Sequence, residues 1–307
     1  MRRPFPALLL AGVLGAALVL TGCGSTAANK DGRVSVVAST NVYGDLARTI
    51  GGGKVAVTSI IDKVSQDPHS YEADARDKLA ISRAAVLIEN GSGYDPFLRK
   101  LAGDAGVDSN RIITASAVSG LPGYGSADFN EHVWYSFDAM TRTADAVAAK
   151  LAQADPTDAG TFRTNAAAFK KSLAQLAARA AAVKAAHPGT PAAVTELVPL
   201  YLLQACGFRD VTPEQFTSAI EAGSDVPPGV LKAATDQLSG GEAKLLAYNS
   251  QTEGPQTRVL KRAAESAGVP VVDFSETLPA GQDYLQWMGS NLDNVAAAVA
   301  RTAGGRA

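Results

Sequence analysis

The sequence predicts an α/β protein of two lobes, each a small parallel sheet with flanking helices, joined by one long rigid helix. Three observations carry this. The length, 307 residues, suits two lobes at roughly 100–200 residues per domain. Short apolar, β-branched runs alternate with helical segments before residue 135 and again after residue 190, the pattern of a parallel sheet with helices outside it. Between them lies Thr157–Ala186, rich in Ala, Leu and Lys, with no internal Pro and only Gly160 near its start. Thirty residues of helix span about 45 Å, more than a small lobe needs.

Taken in order, Arg33–Ser39 reads as the first strand, and Val42–Ile50 has helical spacing closed by Gly51-Gly52-Gly53. Val55–Ile61 is the next strand, Lys78–Arg83 a short helix and Ala85–Glu89 a buried strand. Pro96–Ala105 is a helix with proline in its first turn, and Arg111–Thr114 a further short strand. Ser136–Gln153 is the first long helix, parted by Pro156 from the joining helix, which Pro188-Gly189 stops. The second lobe repeats this alternation, with strand Ala192–Thr195, helix Pro199–Cys206, strand Lys244–Tyr248, helix Pro255–Ala267, strand Val269–Phe274 and a final helix Tyr284–Thr302. The divisions expected are 33–156 for the first lobe, 157–188 for the joining helix and 189–307 for the second lobe.

Residues 1–22 read as an export signal rather than as part of the fold. Arg2 and Arg3 precede an apolar run, Leu8 to Leu20, shorter than the roughly 20 residues of a membrane span. Leu20-Thr21-Gly22-Cys23 follows at once and resembles the lipobox of bacterial lipoproteins. The resemblance implies cleavage before Cys23, a diacylglycerol thioether on it and anchoring to the cell membrane on its extracytoplasmic face, for which two acyl chains suffice. The alternative is an ordinary signal peptide with an incidental cysteine. Residues 23–32, small and polar, read as a flexible tether. Cleavage leaves 285 residues with 26 basic and 30 acidic side chains, a net charge of −4.

Composition excludes several classes. Hydrophobic residues make up 46% and charged residues 19%, too apolar a balance for general disorder. A formal charge of −2 on the whole chain gives no electrostatic reason to expect nucleic acid. Two cysteines make neither a disulfide scaffold nor a four-cysteine zinc site. Cys206, in an apolar stretch, reads as a buried small hydrophobe. Gly51-Gly52-Gly53 and Gly240-Gly241 are turn glycines, since no Lys-Ser/Thr follows as in a phosphate loop.

Four side chains draw attention by position. His69, in Asp67-Pro68-His69-Ser70-Tyr71-Glu72, lies a few residues past a strand, and ligands bind beyond the carboxyl ends of parallel strands. His132, in Asn130-Glu131-His132-Val133-Trp134, precedes the first long helix. Glu196 follows directly on the strand Ala192–Thr195, and Asp283 precedes the last helix; each is a helix N-cap or a site residue. The third histidine, His187, ends the joining helix, where a His needs no function. Two imidazoles and two carboxylates can surround one divalent cation, the carboxylates neutralising it where water is excluded. Two ligands per lobe would put the ion in the inter-lobe cleft.

At this point the residues resemble a family: the cluster A-I solute-binding lipoproteins, receptors of bacterial zinc/manganese ABC importers. Asp67 to Leu98 (DPHSYEADARDKLAISRAAVLIENGSGYDPFL) is similar to the family's DPH-x-[YF]-E segment, buried strand and N-G-x-G-x-[DE]-x-[FW] loop. NEHVWYS (Asn130 to Ser136), VTELVPLYLLQACGF (Val194 to Phe208) and SETLPAGQDYLQWMGSNLD (Ser275 to Asp293) resemble the three later ligand segments. Carried over by position, His69, His132 and Glu196 are metal ligands. Asp283 becomes the fourth if one residue is skipped at Gln282. The resemblance implies one Zn2+ or Mn2+ ion held as cargo, an ABC permease as partner, a monomeric receptor and no enzymatic activity. Two departures stand out: Asn130-Glu131 replaces the family's Asp-Pro before His132, and the loop before it carries no histidine run. Glu as third ligand and the plain loop lean toward manganese, whereas intrinsic affinity favours zinc at N/O sites.

Two other functions compete. An extracellular metallohydrolase needs an open coordination position and a general base, for which Glu72, Glu131 or Glu253 are available, but there is no HExxH, GxSxG or P-loop. A surface adhesion protein with a secondary metal site is the third reading.

Overall fold

The computed structural model describes residues 32–304; Cys23, the signal segment and most of the tether lie outside them. Within the described residues no helix is long and apolar enough to cross a membrane.

The first lobe holds β1 (Val34–Thr40), α1 (Asn41–Gly51), β2 (Val55–Ile61), α2 (Ala75–Arg83), β3 (Val86–Glu89), α3 (Pro96–Asp104), β4 (Ile112–Thr114) and α4 (Ala115–Val118). Its strands run parallel in the order β2-β1-β3-β4. The central β3 is buried throughout and β1 nearly so, because helices cover both faces of the sheet, while the edge strand β2 is partly open. Two long helices follow, α5 (Phe137–Ala154) and α6 (Ala159–Ala186). Ser136 caps α5 through its hydroxyl, which accepts from Ala139 N at 3.3 Å.

The second lobe holds β5 (Pro191–Val194), α7 (Leu200–Ala205), β6 (Arg209–Asp210), α8 (Glu214–Glu221), α9 (Pro228–Ser239), β7 (Leu246–Asn249), α10 (Pro255–Ser266), β8 (Val271–Phe274) and α11 (Tyr284–Gly304). Its strands are parallel too, in the order β6-β5-β7-β8. Numbered within its lobe, each sheet therefore has the order 2-1-3-4. The chain reverses its winding between first and third strands, β1/β3 in one lobe and β5/β7 in the other, and such switch points open ligand crevices at the strands' carboxyl ends. The sequence pattern did not show α4, β6, α8 or α9: they are short, or lie in a polar stretch where periodicity is weak.

The joining helix is α6. Its buried side chains, Phe162, Ala166, Phe169, Leu173, Leu176 and Ala180, recur at alternating intervals of four and three and form one stripe. The stripe packs on α1 and α5 of the first lobe and on α7 and α11 of the second. Phe169 meets Tyr284 of α11 with ring centroids 5.8 Å apart, and Asn165 Nδ2 donates to Ile50 O at 2.9 Å. One hydrophobic core consequently runs through both lobes, from Val36 and Val86 by way of α6 to Val194 and Val295.

Polar ties add to it. Asn41 Nδ2 donates to Leu278 O at 2.8 Å while Asn41 Oδ1 accepts from Leu278 N at 2.9 Å. Tyr284 donates from its backbone N to Asp45 Oδ2 at 2.9 Å and from its hydroxyl to Trp134 O at 2.6 Å.

Candidate metal centre

The facing ends of the two sheets carry the candidate residues. His69 stands on the loop after β2. Asp67 builds a local turn there, Oδ1 accepting from His69 N at 2.9 Å and Oδ2 from the Ser70 hydroxyl at 2.7 Å. The Asp67 carboxylate is thereby engaged in shaping the loop.

The loop after β3 supplies the floor. Asp95 accepts from Asn90 N at 2.6 Å and Gly91 N at 2.8 Å, folding the loop back on itself. Gly91, Ser92 and Gly93 all take positive φ, 80°, 55° and 91°. This run turns Tyr94 inward until it is fully buried, its ring 5.0 Å from that of His69, 5.9 Å from His132 and 4.7 Å from Trp134.

His132 ends the loop before α5 and is 1% exposed. Asn130 Oδ1 takes both its backbone N, at 3.1 Å, and its Nδ1, at 2.7 Å. Asn130 is itself oriented by donating from Nδ2 to Leu197 O at 3.0 Å, so its oxygen is the atom that faces the ring. The imidazole then carries its proton on Nδ1 and leaves the Nε2 lone pair for a ligand. The His69 and His132 rings meet at 6.5 Å. Burial pushes the His132 imidazole down to about 3, with the His69 charge adding to the effect, while His69, more open on its loop, is lowered by partial desolvation against the opposing Asp67 charge. Both are neutral near pH 7, the form that binds metals.

Two carboxylates come from the second lobe. Glu196 follows β5 and Glu276 follows β8. Both are buried, and both accept from one amide, Asn249 Nδ2 at the end of β7, at 2.6 Å and 2.8 Å. The Thr252 hydroxyl also donates to Glu196. The amide is held in place by Asn249 N donating to Thr195 Oγ1 at 2.8 Å and Asn249 Oδ1 accepting from Gln251 N at 3.1 Å. Burial pushes both carboxyls up, Glu196 to about 7 and Glu276 to about 8, the latter raised further by the Glu196 charge. Glu276 Oε2 and the Tyr94 hydroxyl are both buried and neighbour one another, and the hydroxyl favours the charged form of the carboxyl. Donor atoms of Asp67, His69 and Glu276 lie within 4.8 Å of one another.

His69, His132 and Glu196 thus all stand at the facing ends of the sheets. Glu196 is not a helix cap; α7 begins after Pro199. Asp283, the fourth residue expected, stands at the start of the last helix. It is exposed and caps α11, Oδ1 accepting from Gln286 N at 2.8 Å while its own N donates to Gln286 Oε1 at 3.1 Å. The acidic side chain in the cleft is Glu276, seven residues earlier. The signal for it was present: Ser275-Glu276 follows β8 as Glu196 follows β5, but the tyrosine of the last helix is the stronger landmark and points downstream. Asn249 and Tyr94 carry no local signal, because their roles come from contacts across the fold.

Of the aromatic side chains near the site, Trp134 and Trp287 are buried in the core. Tyr71 donates to Asp77 Oδ2 at 3.0 Å and Tyr135 to Ser275 O at 2.7 Å. Cys206 is buried, and burial pushes its thiol up to about 12.

Comparison with known proteins shows what the chain is similar to. The family model described as ZnuA, zinc-uptake complex component A, periplasmic, matches residues 36–298. The manganese-binding lipoprotein MntA of Bacillus subtilis is 32% identical over 55% of this chain and 56% of its own. The chain spans about half the length of that relative. The manganese ABC transporter substrate-binding lipoprotein ScaA of Streptococcus gordonii is 24% identical over 97% of this chain and 98% of its own. Among solved structures, the periplasmic zinc binding protein TroA from Treponema pallidum superposes with a TM-score of 0.75 at 20% identity, covering 87% of this chain and 99% of that one. The last likeness shows the two-lobed fold.

Proposed function

The chain belongs to the ZnuA family, zinc-uptake complex component A, and on that premise we propose that it is a solute-binding receptor, not an enzyme, that captures one divalent transition-metal ion as cargo and delivers it to an ABC permease. The ligands in this reading are His69 and His132 from the first lobe and Glu196 and Glu276 from the second. The receptor works as a monomer held at the outer face of the cell membrane by a lipid on Cys23.

The observation that carries the reading is the buried Glu276 carboxylate, held by Asn249 and neighboured by the Tyr94 hydroxyl, within reach of His69 and Asp67. Burying a carboxylate costs free energy that a cation recovers. Two neutral imidazoles and two carboxylates give four donors, and the carboxylate charges balance a 2+ ion. Cargo is Zn2+ or Mn2+, the metals named for the relatives described above.

The test is calorimetric titration of the metal-free full-length chain in detergent with Zn(II) and Mn(II). One tight equivalent is expected. His69→Ala and Glu276→Gln abolish or greatly weaken it, and Asp283→Ala binds as wild type does. Unchanged binding in Glu276→Gln, together with loss in Asp283→Ala, would return the fourth ligand to Asp283. No binding of either ion by folded wild-type protein would overturn the receptor reading. Anchoring is read separately, by whether Cys23→Ala releases the protein from membranes.

A further inference from the structure

Glu131 lies beside the proposed ligands and has no part in the reading so far. Its Oε1 is 3.9 Å from His69 Nε2, and donor atoms of Glu131, His69 and His132 all lie within 4.8 Å of one another. Ligands bonded to one ion at roughly 2.0–2.2 Å are separated by about 3–4 Å, so the Glu131–His69 spacing suits one ion touching both, with His132 close enough to join them after a small adjustment. His69 also shares a group within 4.8 Å with Asp67 and Glu276. One imidazole therefore belongs to two donor groups, one turned toward the second lobe and one toward Glu131.

The backbone of Glu131 is fixed. Its carbonyl accepts from Asn90 Nδ2 at 3.0 Å and from Val133 N at 2.6 Å, and the preceding carbonyl accepts from the Tyr201 hydroxyl at 2.8 Å. The side chain is 19% exposed and lines an open polar cleft together with Ser92, Leu197, Asp210 and Glu221. The carboxylate thus stands between that cleft and the histidine pair. Where the resemblance described above expects proline, which has no donor, this chain has a carboxylate.

We propose that Glu131 is a fifth metal-binding side chain that shifts selectivity toward Mn2+ over Zn2+. The inference rests on the receptor reading and deepens it. A third carboxylate brings the protein donors to two nitrogens and at least three oxygens. Zn2+ is satisfied by four donors in a tetrahedron, whereas Mn2+ prefers oxygen ligands and a larger coordination number. The third carboxylate enters at the edge of the site that lines the cleft.

The experiment titrates metal-free full-length wild type, Glu131→Gln and Glu131→Ala with Mn(II) and Zn(II) in competition against a chelator, with His69→Ala alongside. Thermal melting of the metal-free proteins establishes that the variants are folded. X-ray absorption on the Mn-loaded forms counts light-atom neighbours. Both Glu131 variants are expected to lose about tenfold or more in Mn2+ affinity, a common penalty at metal-site positions, with a much smaller change for Zn2+. The Mn2+ shell in wild type is expected to hold one more protein oxygen than in Glu131→Ala. Equal losses for both metals would overturn the selectivity claim, leaving a general electrostatic effect. Unchanged affinities would overturn the contact itself. Failure of wild type to bind either ion would instead overturn the receptor reading and this inference with it, and His69→Ala separates that result from the others.

Discussion

Asn249 holds the acidic half of the cleft with a single side chain. Both protons of its amide are spent on carboxylates, and its position at the end of β7 fixes where they converge. Replacing it by Ala leaves the Glu196 carboxylate with Thr252 alone and removes the amide donor from the Glu276 carboxylate. Loss of such an orienting partner costs about 10–100-fold in metal affinity. Asn249→Ala is therefore expected to weaken the proposed ion binding by that order, measured by chelator competition, while Asn249→Asp, which adds a third negative charge there, raises the pH at which binding sets in. Asn130 plays the matching part for His132, and Asn130→Ala is expected to weaken binding similarly by freeing the ring and its tautomer. Residue-scale roles of this kind were the least legible in the sequence. His69, His132 and Glu196 stood out because titratable residues at strand ends are few. Asn249 and Tyr94 did not, since nothing in a one-dimensional neighbourhood marks an amide shared by residues 53 and 27 positions away.

The loop after β3 and the helix α6 show two ways an element serves the site. Gly91 has φ of 80°, and a Cβ there would stand 2.4 Å from Thr114 Cγ2 and 2.8 Å from Ser116 Oγ. Gly91→Ala is expected to lower stability by more than about 1 kcal/mol, since φ is unfavourable for Ala and space is lacking. It also displaces Tyr94 from beneath the histidines. Chemical denaturation with parallel metal titration checks both effects. In α6, Leu173 lies in the middle of the buried stripe at 1% exposure, and Leu173→Ala is expected to cost about 2–5 kcal/mol by leaving a cavity in the shared core. The helix was legible as an unbroken Ala-rich stretch bounded by Pro156 and Pro188. Its four-three stripe of buried residues, less apparent among so many alanines, became visible only in the packing. The second lobe was harder to read between Arg209 and Ser239, where a two-residue strand and polar helices give little periodic signal.

At the scale of the whole molecule, the site makes stability depend on pH in a defined direction. Glu196 and Glu276 have folded-state values raised to about 7 and about 8 against an ordinary 4.5. Their contribution to stability is complete below the unfolded value and is lost as pH rises through the folded ones. His132, lowered from 6.5 to about 3, acts the other way, but only below 6.5, where the unfolded chain takes up the proton. Between about pH 6.5 and 8 the carboxylates decide the sign. The metal-free protein is expected to melt at progressively lower temperature across that window. An ion holds the carboxylates in their charged form, so the stabilisation by Mn(II) or Zn(II) grows over the same window, and binding releases protons. Scanning calorimetry of both forms at several pH values measures it; a metal-free melting temperature that rises from pH 6.5 to 8 would contradict the assignment.

The donors gathered here are distant along the chain, from His69 to Glu276, and neither lobe holds the proposed set alone. A nascent or unfolded chain has the histidines and carboxylates but no centre, because their arrangement depends on both sheets and on α6 between them. On the proposed reading, the complete donor set exists only once both sheets and α6 are in place, so the ions present where folding finishes would be the first to meet it.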